Sequence, residues 1–196
     1  VLIRKPRTAE EYEQKVKTAL GSIDRMSTMM EQLVALARVE NGKNLVKEEL
    51  ELIAFLEELA DQFSLEKQKK VVFQSLLSLP IYVRTNEKSL EMILGNLLEN
   101  AVKYSQEGKE VFLRVGREKE AFIEVVDLGC GIAPEQLDQI FDPFFRAQEA
   151  LDRGIPGTGL GLAIVKKLAQ ESGIQVSVRS EKGKGSSFRL DFIALS

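Results

Sequence analysis

The stretch Leu90-Glu91-Met92-Ile93-Leu94-Gly95-Asn96-Leu97-Leu98-Glu99-Asn100-Ala101-Val102-Lys103-Tyr104 carries two patterns at once. Leu90, Ile93, Leu94, Leu97, Leu98 and Ala101 recur at helical spacing, which predicts a helix with one apolar face, and Asn86 ahead of it suits an N-cap. Asn96, Asn100, Lys103 and Tyr104 lie at offsets of zero, four, seven and eight, so at about 100° per residue they share a second, polar face. A solvated stripe is the ordinary reading of two asparagines and a lysine. Asparagine is a mediocre helix former, however, and two of them one turn apart suit amide oxygens meeting a hard cation such as Mg²⁺, with the lysine one turn on facing phosphates.

Around this helix the patterns alternate without the regular beat of a doubly wound sheet. Leu50 and Leu52 read as a short strand, and Phe55, Leu56, Leu59, Ala60 and Phe63 as the stripe of a helix. Strands are predicted at 71–76, 81–83, 111–115, 122–126, 176–180 and 187–193, with a helix over 160–171. The fold class that follows is α+β: an α/β sandwich with helices on one side of a sheet. Ahead of it, Tyr12, Val16, Ala19, Ile23, Met26, Met30, Leu33 and Ala37 alternate by four and three, the seam of a helix that packs in a bundle. Met26, Met29 and Met30 taken alone read as core gap-fillers. Thr8 with Glu11 forms a capping box and Gly42 after Asn41 a stop, so this helix would be about 50 Å long. Residues 1–5, closed by Pro6, read as the end of an earlier helix, and the chain is expected to be truncated.

Of 196 residues, 44% are hydrophobic and 29% charged, a globular composition with material for a core. Lysine and arginine number 27 against 30 acidic residues, and a net charge of -3 argues against a nucleic-acid binder, so an anionic ligand must be held locally. The single cysteine, Cys130, has no internal disulfide partner, and nothing resembles a signal peptide or a membrane span; the expectation is a cytoplasmic fragment. There is no histidine, which removes histidine ligands, general bases and Ser-His or Cys-His catalysis from this chain.

Two glycine strings remain. Asp127-Leu128-Gly129-Cys130-Gly131-Ile132 follows an apolar strand. It reads either as an Asp-initiated turn or as a carboxylate accepting from an exocyclic amine, with glycines letting the backbone approach a flat ring. Such a bond favours adenine over guanine. Gly157-Thr158-Gly159-Leu160-Gly161-Leu162 opens a helix, leaving bare amides suited to phosphate oxygens, although its spacing matches neither a dinucleotide fingerprint nor a P-loop. About 24 residues separate the strings, with helical periodicity only over 135–140, and a mobile lid is expected there.

In this order the strings resemble the catalytic ATP-binding domain of sensor histidine kinases, of the superfamily that includes gyrase, heat-shock chaperone and mismatch-repair ATPases. Residues 96–104 resemble the asparagine box, 127–132 the first glycine box, Phe141-Asp142-Pro143-Phe144-Phe145-Arg146 the phenylalanine box and 157–162 the second glycine box. Gly183-Lys184-Gly185-Ser186-Ser187-Phe188 resembles a later turn and strand, and residues 8–40 the second helix of the dimerisation and phosphotransfer hairpin. The resemblance implies ATP and Mg²⁺, with Asn100 and Asn96 on the metal, Lys103 on phosphate, Tyr104 on the base and Asp127 on the adenine amine. Gly129, Gly131 and Ile132 would shape the base pocket; Gly157, Thr158, Gly159, Leu160, Gly161 and Leu162 the phosphate pocket, with Phe145 and Arg146 on the lid and Ser187 offering a hydroxyl to phosphate. Asn86 stands where an aspartate is frequent, and Glu171-Ser172-Gly173-Ile174 replaces a common histidine-glycine-glycine. It implies residues 1–43 as part of the hairpin without its acceptor histidine, 44–196 as the catalytic domain, a homodimeric parent that is free or membrane-anchored, and a response-regulator receiver domain as partner. Two alternatives stand beside this: a serine protein kinase of the anti-sigma-factor type, and a nucleotide-binding regulatory module.

Overall fold

The computed structural model describes residues 8–40, 46–67 and 69–193; within the first helix, side chains are described at 9–23, 26, 27 and 30. That helix, α1 (Ala9–Glu40), opens with the expected capping box: Thr8 N–H donates to Glu11 Oε2 at 3.2 Å and Glu11 N–H to Thr8 Oγ1 at 3.3 Å. The predicted stop at Asn41 and Gly42 and the helix end at 1–5 lie outside the described residues, as do the side chains of Met29, Leu33 and Ala37. The seam side chains Tyr12, Val16, Ile23, Met26 and Met30 are all exposed. No described helix is long and apolar enough to cross a membrane.

The sheet of the globular part runs β2 (Val71–Ser75), β4 (Val111–Arg117), β5 (Ala121–Asp127), β7 (Gly185–Phe192), β6 (Ile174–Glu181). β2 and β4 are parallel and all other neighbours antiparallel. β1 (Glu48–Glu51) and β3 (Tyr82–Thr85) form a separate antiparallel pair. Helices α2 (Leu52–Lys67), α3 (Glu87–Tyr104) and α5 (Gly161–Ser172) cover one face of the large sheet with a single core. The other face is open, and there Arg114 and Glu124 pair at 3.4 Å while the Arg189 guanidinium sits 3.8 Å over the Phe122 ring. One face on helices and one in water is the ordinary condition of a largely antiparallel sheet.

Why α3 sits at the centre is legible in its stripe. Leu90, Ile93, Leu94, Leu97 and Leu98 are all fully buried, each contributing about 1.5–3 kcal/mol relative to exposure. Asn86 caps it as expected, its side chain accepting from Ser89 N–H at 3.0 Å. Leu52 departs from the expectation: it begins α2 rather than extending the strand. Glu51 turns the chain, its carboxylate accepting from Ile53 N–H at 3.0 Å and Ala54 N–H at 2.7 Å, so a local cap outweighs the alternation of Leu50 and Leu52. In the long segment between the glycine strings, the periodicity at 135–140 yields only a single 3-10 turn, Pro134–Gln136, whereas a short helix not anticipated, α4 (Gln148–Asp152), buries Ala150.

Candidate functional site

The C-terminal half of α3, the ends of β5 and β7, the lid segment and the start of α5 enclose a cavity of about 680 Å³. α3 contributes Asn96, Asn100, Lys103 and Tyr104, confirming that their spacing places them together. Asn96 uses its Nδ2 to donate to Met92 O at 2.8 Å and turns Oδ1 toward Gly161 at the N-terminus of α5. Glu99, which the sequence reading passed over, also lines the cavity.

Asp127 ends β5 inside the cavity and is 5% exposed. Gly129 N–H donates to its Oδ1 at 2.8 Å, and Ser186, opposite it in the β5–β7 ladder, also favours the charged form. Burial nevertheless dominates, pushing the carboxyl up to about 6 against those donors. Gly131 and Ile132 line the same wall. Gly131 has φ +65° and a Cβ there would strike the Glu181 carbonyl, so the loop's close path requires glycine. Gly129 lies beneath the backbone of Tyr104 and does not reach the cavity. Burial pushes the Tyr104 phenol and the Cys130 thiol up, so both stay protonated at neutral pH.

Opposite in charge are Lys103 and Arg146. The Lys103 pKa is drawn down, first by burial and then by Arg146, a state that an anion between the two would relieve. Gly157 makes room for Lys103: a Cβ at that position would collide with its ammonium. Thr158, Gly159, Gly161 and Leu162 continue this wall, while Leu160 is fully buried in the core beneath it. Phe145 and Arg146 come from the lid, where an Arg146 Nη2 donates to Ile155 O. Phe144 N–H donates to Gly159 O at 2.9 Å, joining the phenylalanine string to the second glycine string. Its own φ of +65° is a costly conformation for a bulky, exposed side chain, and that bond helps hold it.

One expected residue is displaced. Ser187 faces the open side of the sheet, where its hydroxyl donates to Glu124 Oε1 at 2.6 Å; Ser186 is the serine on the cavity wall. Side chains alternate along β7, so Ser186 shares a face with the buried Phe188 and Leu190, and Ser187 shares one with Arg189 and Asp191. The alternation of apolar residues after Gly185 was the signal for this. Ile140, Ala147, Ala150 and Pro156 complete the lid side, and Ser22 and Met26 of α1 reach the cavity from outside the globular part. Nothing in the local sequence marked those two. Among the described residues no group of three or more histidine, cysteine or carboxylate side chains is placed to hold a metal. The amide pair Asn96 and Asn100 fits Mg²⁺, which keeps several waters and leans on substrate phosphates.

The profile of histidine kinase-, DNA gyrase B- and HSP90-like ATPases matches residues 85–195, more than half of the chain. Sensor histidine kinase YkoH of Bacillus subtilis is 31% identical over 184 residues, 93% of this chain and 40% of the relative. Sensor histidine kinase WalK of the same organism is 32% identical over 167 residues, 83% of this chain and 27% of the relative. Among solved structures, full-length ShkA in complex with AMPPNP superposes with a TM-score of 0.75 at 28% identity, covering 96% of this chain and 40% of that one. The histidine kinase AdeS of Acinetobacter baumannii superposes with a TM-score of 0.69 at 26% identity, over 97% of this chain and 87% of that one. The chain thus spans less than half the length of the curated relatives it matches. A cavity lined from four ordered strings, on a fold and a sequence profile that agree, places this chain in the family of histidine kinase-, DNA gyrase B- and HSP90-like ATPases.

Proposed function

We propose that this chain is the ATP-binding kinase core of a two-component sensor, made of a catalytic domain (44–196) and part of the dimerisation and phosphotransfer hairpin (1–43). The observation that carries the reading is the charge layout of the cavity: one buried carboxylate, Asp127, on the strand side, and two cations, Lys103 and Arg146, beside the glycine string that opens α5. Asp127 accepts from the adenine amine, Tyr104 flanks the base, and Lys103, Arg146 and the amides at 157–161 take the phosphates. Ser186 supports Asp127 in that role. Asn100 and Asn96 would hold Mg²⁺, which supplies charge neutralisation at the phosphates when bound.

The chain's own residues then orient the γ-phosphoryl for in-line transfer, with positioning and electrostatics supplying most of the effect. An imidazole nitrogen on the first hairpin helix of a longer chain attacks the γ-phosphorus, the bond to the β,γ-bridging oxygen breaks, and ADP leaves. The phosphoryl passes on to an aspartate of a response-regulator receiver domain. The seam of α1 pairs with the rest of the hairpin in a homodimeric parent. The kinase reading is favoured over the serine-kinase and regulatory-module alternatives because the relatives named above are sensor histidine kinases.

The test is γ-labelled ATP with this chain alone, then with a complete hairpin carried on a catalytically dead partner. Having no histidine, the chain should stay unlabelled in the first tube. In the second, acid-labile label should appear on the added protein only. Acid-stable label on this chain in the first tube would overturn the reading in favour of a serine kinase.

A further inference from the structure

Asp127, Ser186 and Ser180 stand directly opposite one another in the registers of β5, β7 and β6. They form one polar row across three strands, with Asp127 and Ser186 on the cavity wall. The Ser180 hydroxyl accepts from Ile132 N–H at 2.8 Å, donates to the Gly185 carbonyl at 2.9 Å and lies 3.0 Å from Ser186 Oγ. Ser186 in turn is the register partner of Asp127 in the β5–β7 ladder.

A serine has one proton and two lone pairs, which constrains the row. Ile132 N–H occupies one lone pair of Ser180 and Gly185 O takes its proton, so the second lone pair accepts from the Ser186 hydroxyl. That bond fixes the Ser186 side chain beside Asp127, its partner across the β5–β7 ladder. Meanwhile residues 128–131 leave β5 at Asp127 and cross the β6–β7 turn, with Gly131 packed against the Glu181 carbonyl and Gly183 N–H donating to Cys130 O at 2.7 Å. Ile132 ends that crossing on Ser180. Ser180 therefore holds both ends of the loop, the near end through Ser186 and the far end directly.

We infer that Ser180 is a positioning residue for base recognition: its hydroxyl fixes the loop 127–132 at Ile132 and holds Ser186 in place opposite Asp127, so that the carboxylate meets the exocyclic amine of the nucleotide. This rests on the adenine-reading role proposed for Asp127. Ser180 does not itself line the cavity, and its effect passes through Ser186 and Ile132.

The experiment titrates ATP, and an ATP analogue lacking the exocyclic amine, into the 196-residue chain and reads the ratio of the two affinities. Ser180→Ala should shrink the preference for ATP about tenfold, because the loss falls on the bond to the amine while the phosphate contacts are untouched. Ser180→Thr, which keeps the hydroxyl, should retain the preference, and Ser180→Val, its isostere without one, should lose it. A purely structural role would lower the melting temperature and leave the ratio unchanged, and that result overturns the inference. So does a Val chain that fails to fold beside a folded, selective Thr chain, since the hydroxyl would then serve folding. Asp127→Asn run in parallel separates the two readings. If it too keeps the full preference, the base-reading role of Asp127 fails; if it alone loses the preference, only the role of Ser180 falls.

Discussion

Asp127 holds a carboxyl where water is nearly excluded, and its acidity follows from that. Its folded pKa of about 6 lies above the ordinary 3.8. Below the lower value both folded and unfolded chains are protonated and nothing is lost. As pH rises through the window between the two values, the unfolded chain releases its proton first, so stability falls, and the deficit is complete above about pH 6, at roughly 3 kcal/mol. Asp127→Asn should remove this deficit, melting roughly 6 °C or more above the parent at about pH 8 and level with it at about pH 4. A thermal shift of equal size at both pH values would refute the account. The same substitution should cost ATP affinity, because the site spends stability on a group that works only when charged. In the parent, ATP affinity should decline as pH drops through about 6. Asn100 makes a second prediction at this scale. Among the described residues no carboxylate cluster is placed to anchor Mg²⁺, so in the proposed role the Asn100 amide oxygen should matter only when the metal is present. Calorimetry of Asn100→Ala should show ATP binding weakened about tenfold in Mg²⁺ and nearly unchanged in EDTA. Equal losses in both would take Asn100 off the metal.

The lid is the element where charge and packing meet. Its phenylalanine string is bonded to the second glycine string through Phe144 and Gly159, and its helix α4 is fastened at two further points. Ala150 is buried against the cavity, and Glu149 pairs with Lys182 of the β6–β7 turn at 2.7 Å. The Lys182 ammonium holds the Glu149 carboxyl below the usual range. The segment expected from sequence to be a mobile lid is thus tied, at α4, to the hairpin that also supports the loop 127–132. Lys182→Ala should speed amide exchange over 147–153 about threefold while leaving α3 unchanged, an effect that fades in high salt. Exchange that stays at the parental rate, with salt making no difference, would mean that Ala150 alone holds the helix down.

At the scale of the whole molecule, α1 and the globular part make different claims on stability. No described α1 residue belongs to the core, so a chain of residues 46–196 should fold and melt cooperatively within a few degrees of the parent. Yet Ser22 and Met26 stand at the cavity, and α1 packs along α5. Removing them should open a wall, so stopped-flow association of a fluorescent ATP analogue should be faster in the shortened chain. A shortened chain that melts without cooperativity would show that α1 is part of the fold. The exposed seam from Tyr12 to Met30 is the surface that such a helix would bury in a bundle.

The sequence by itself determined the elements whose signals are local and redundant. The α3 stripe, the Asn86 cap, the Thr8 capping box and the polar quartet from Asn96 to Tyr104 all follow from spacing within one helix, which a helix of any surroundings would preserve. The ordered glycine strings located the cavity for the same reason, since backbone approach depends on the residue itself. Tertiary structure decided whatever depends on which face meets which partner. Ser186 and Ser187 are chemically alike; the apolar alternation of Phe188 and Leu190 separates their faces, but only the pairing of β7 with β5 sets the first opposite Asp127 and brings the second to Glu124. Ser180 looks like an ordinary strand serine until Ile132, 48 positions away, arrives at its hydroxyl. α4, the Glu149–Lys182 pair and the approach of Met26 are likewise contacts between distant segments, and a one-dimensional pattern contains no distance between them.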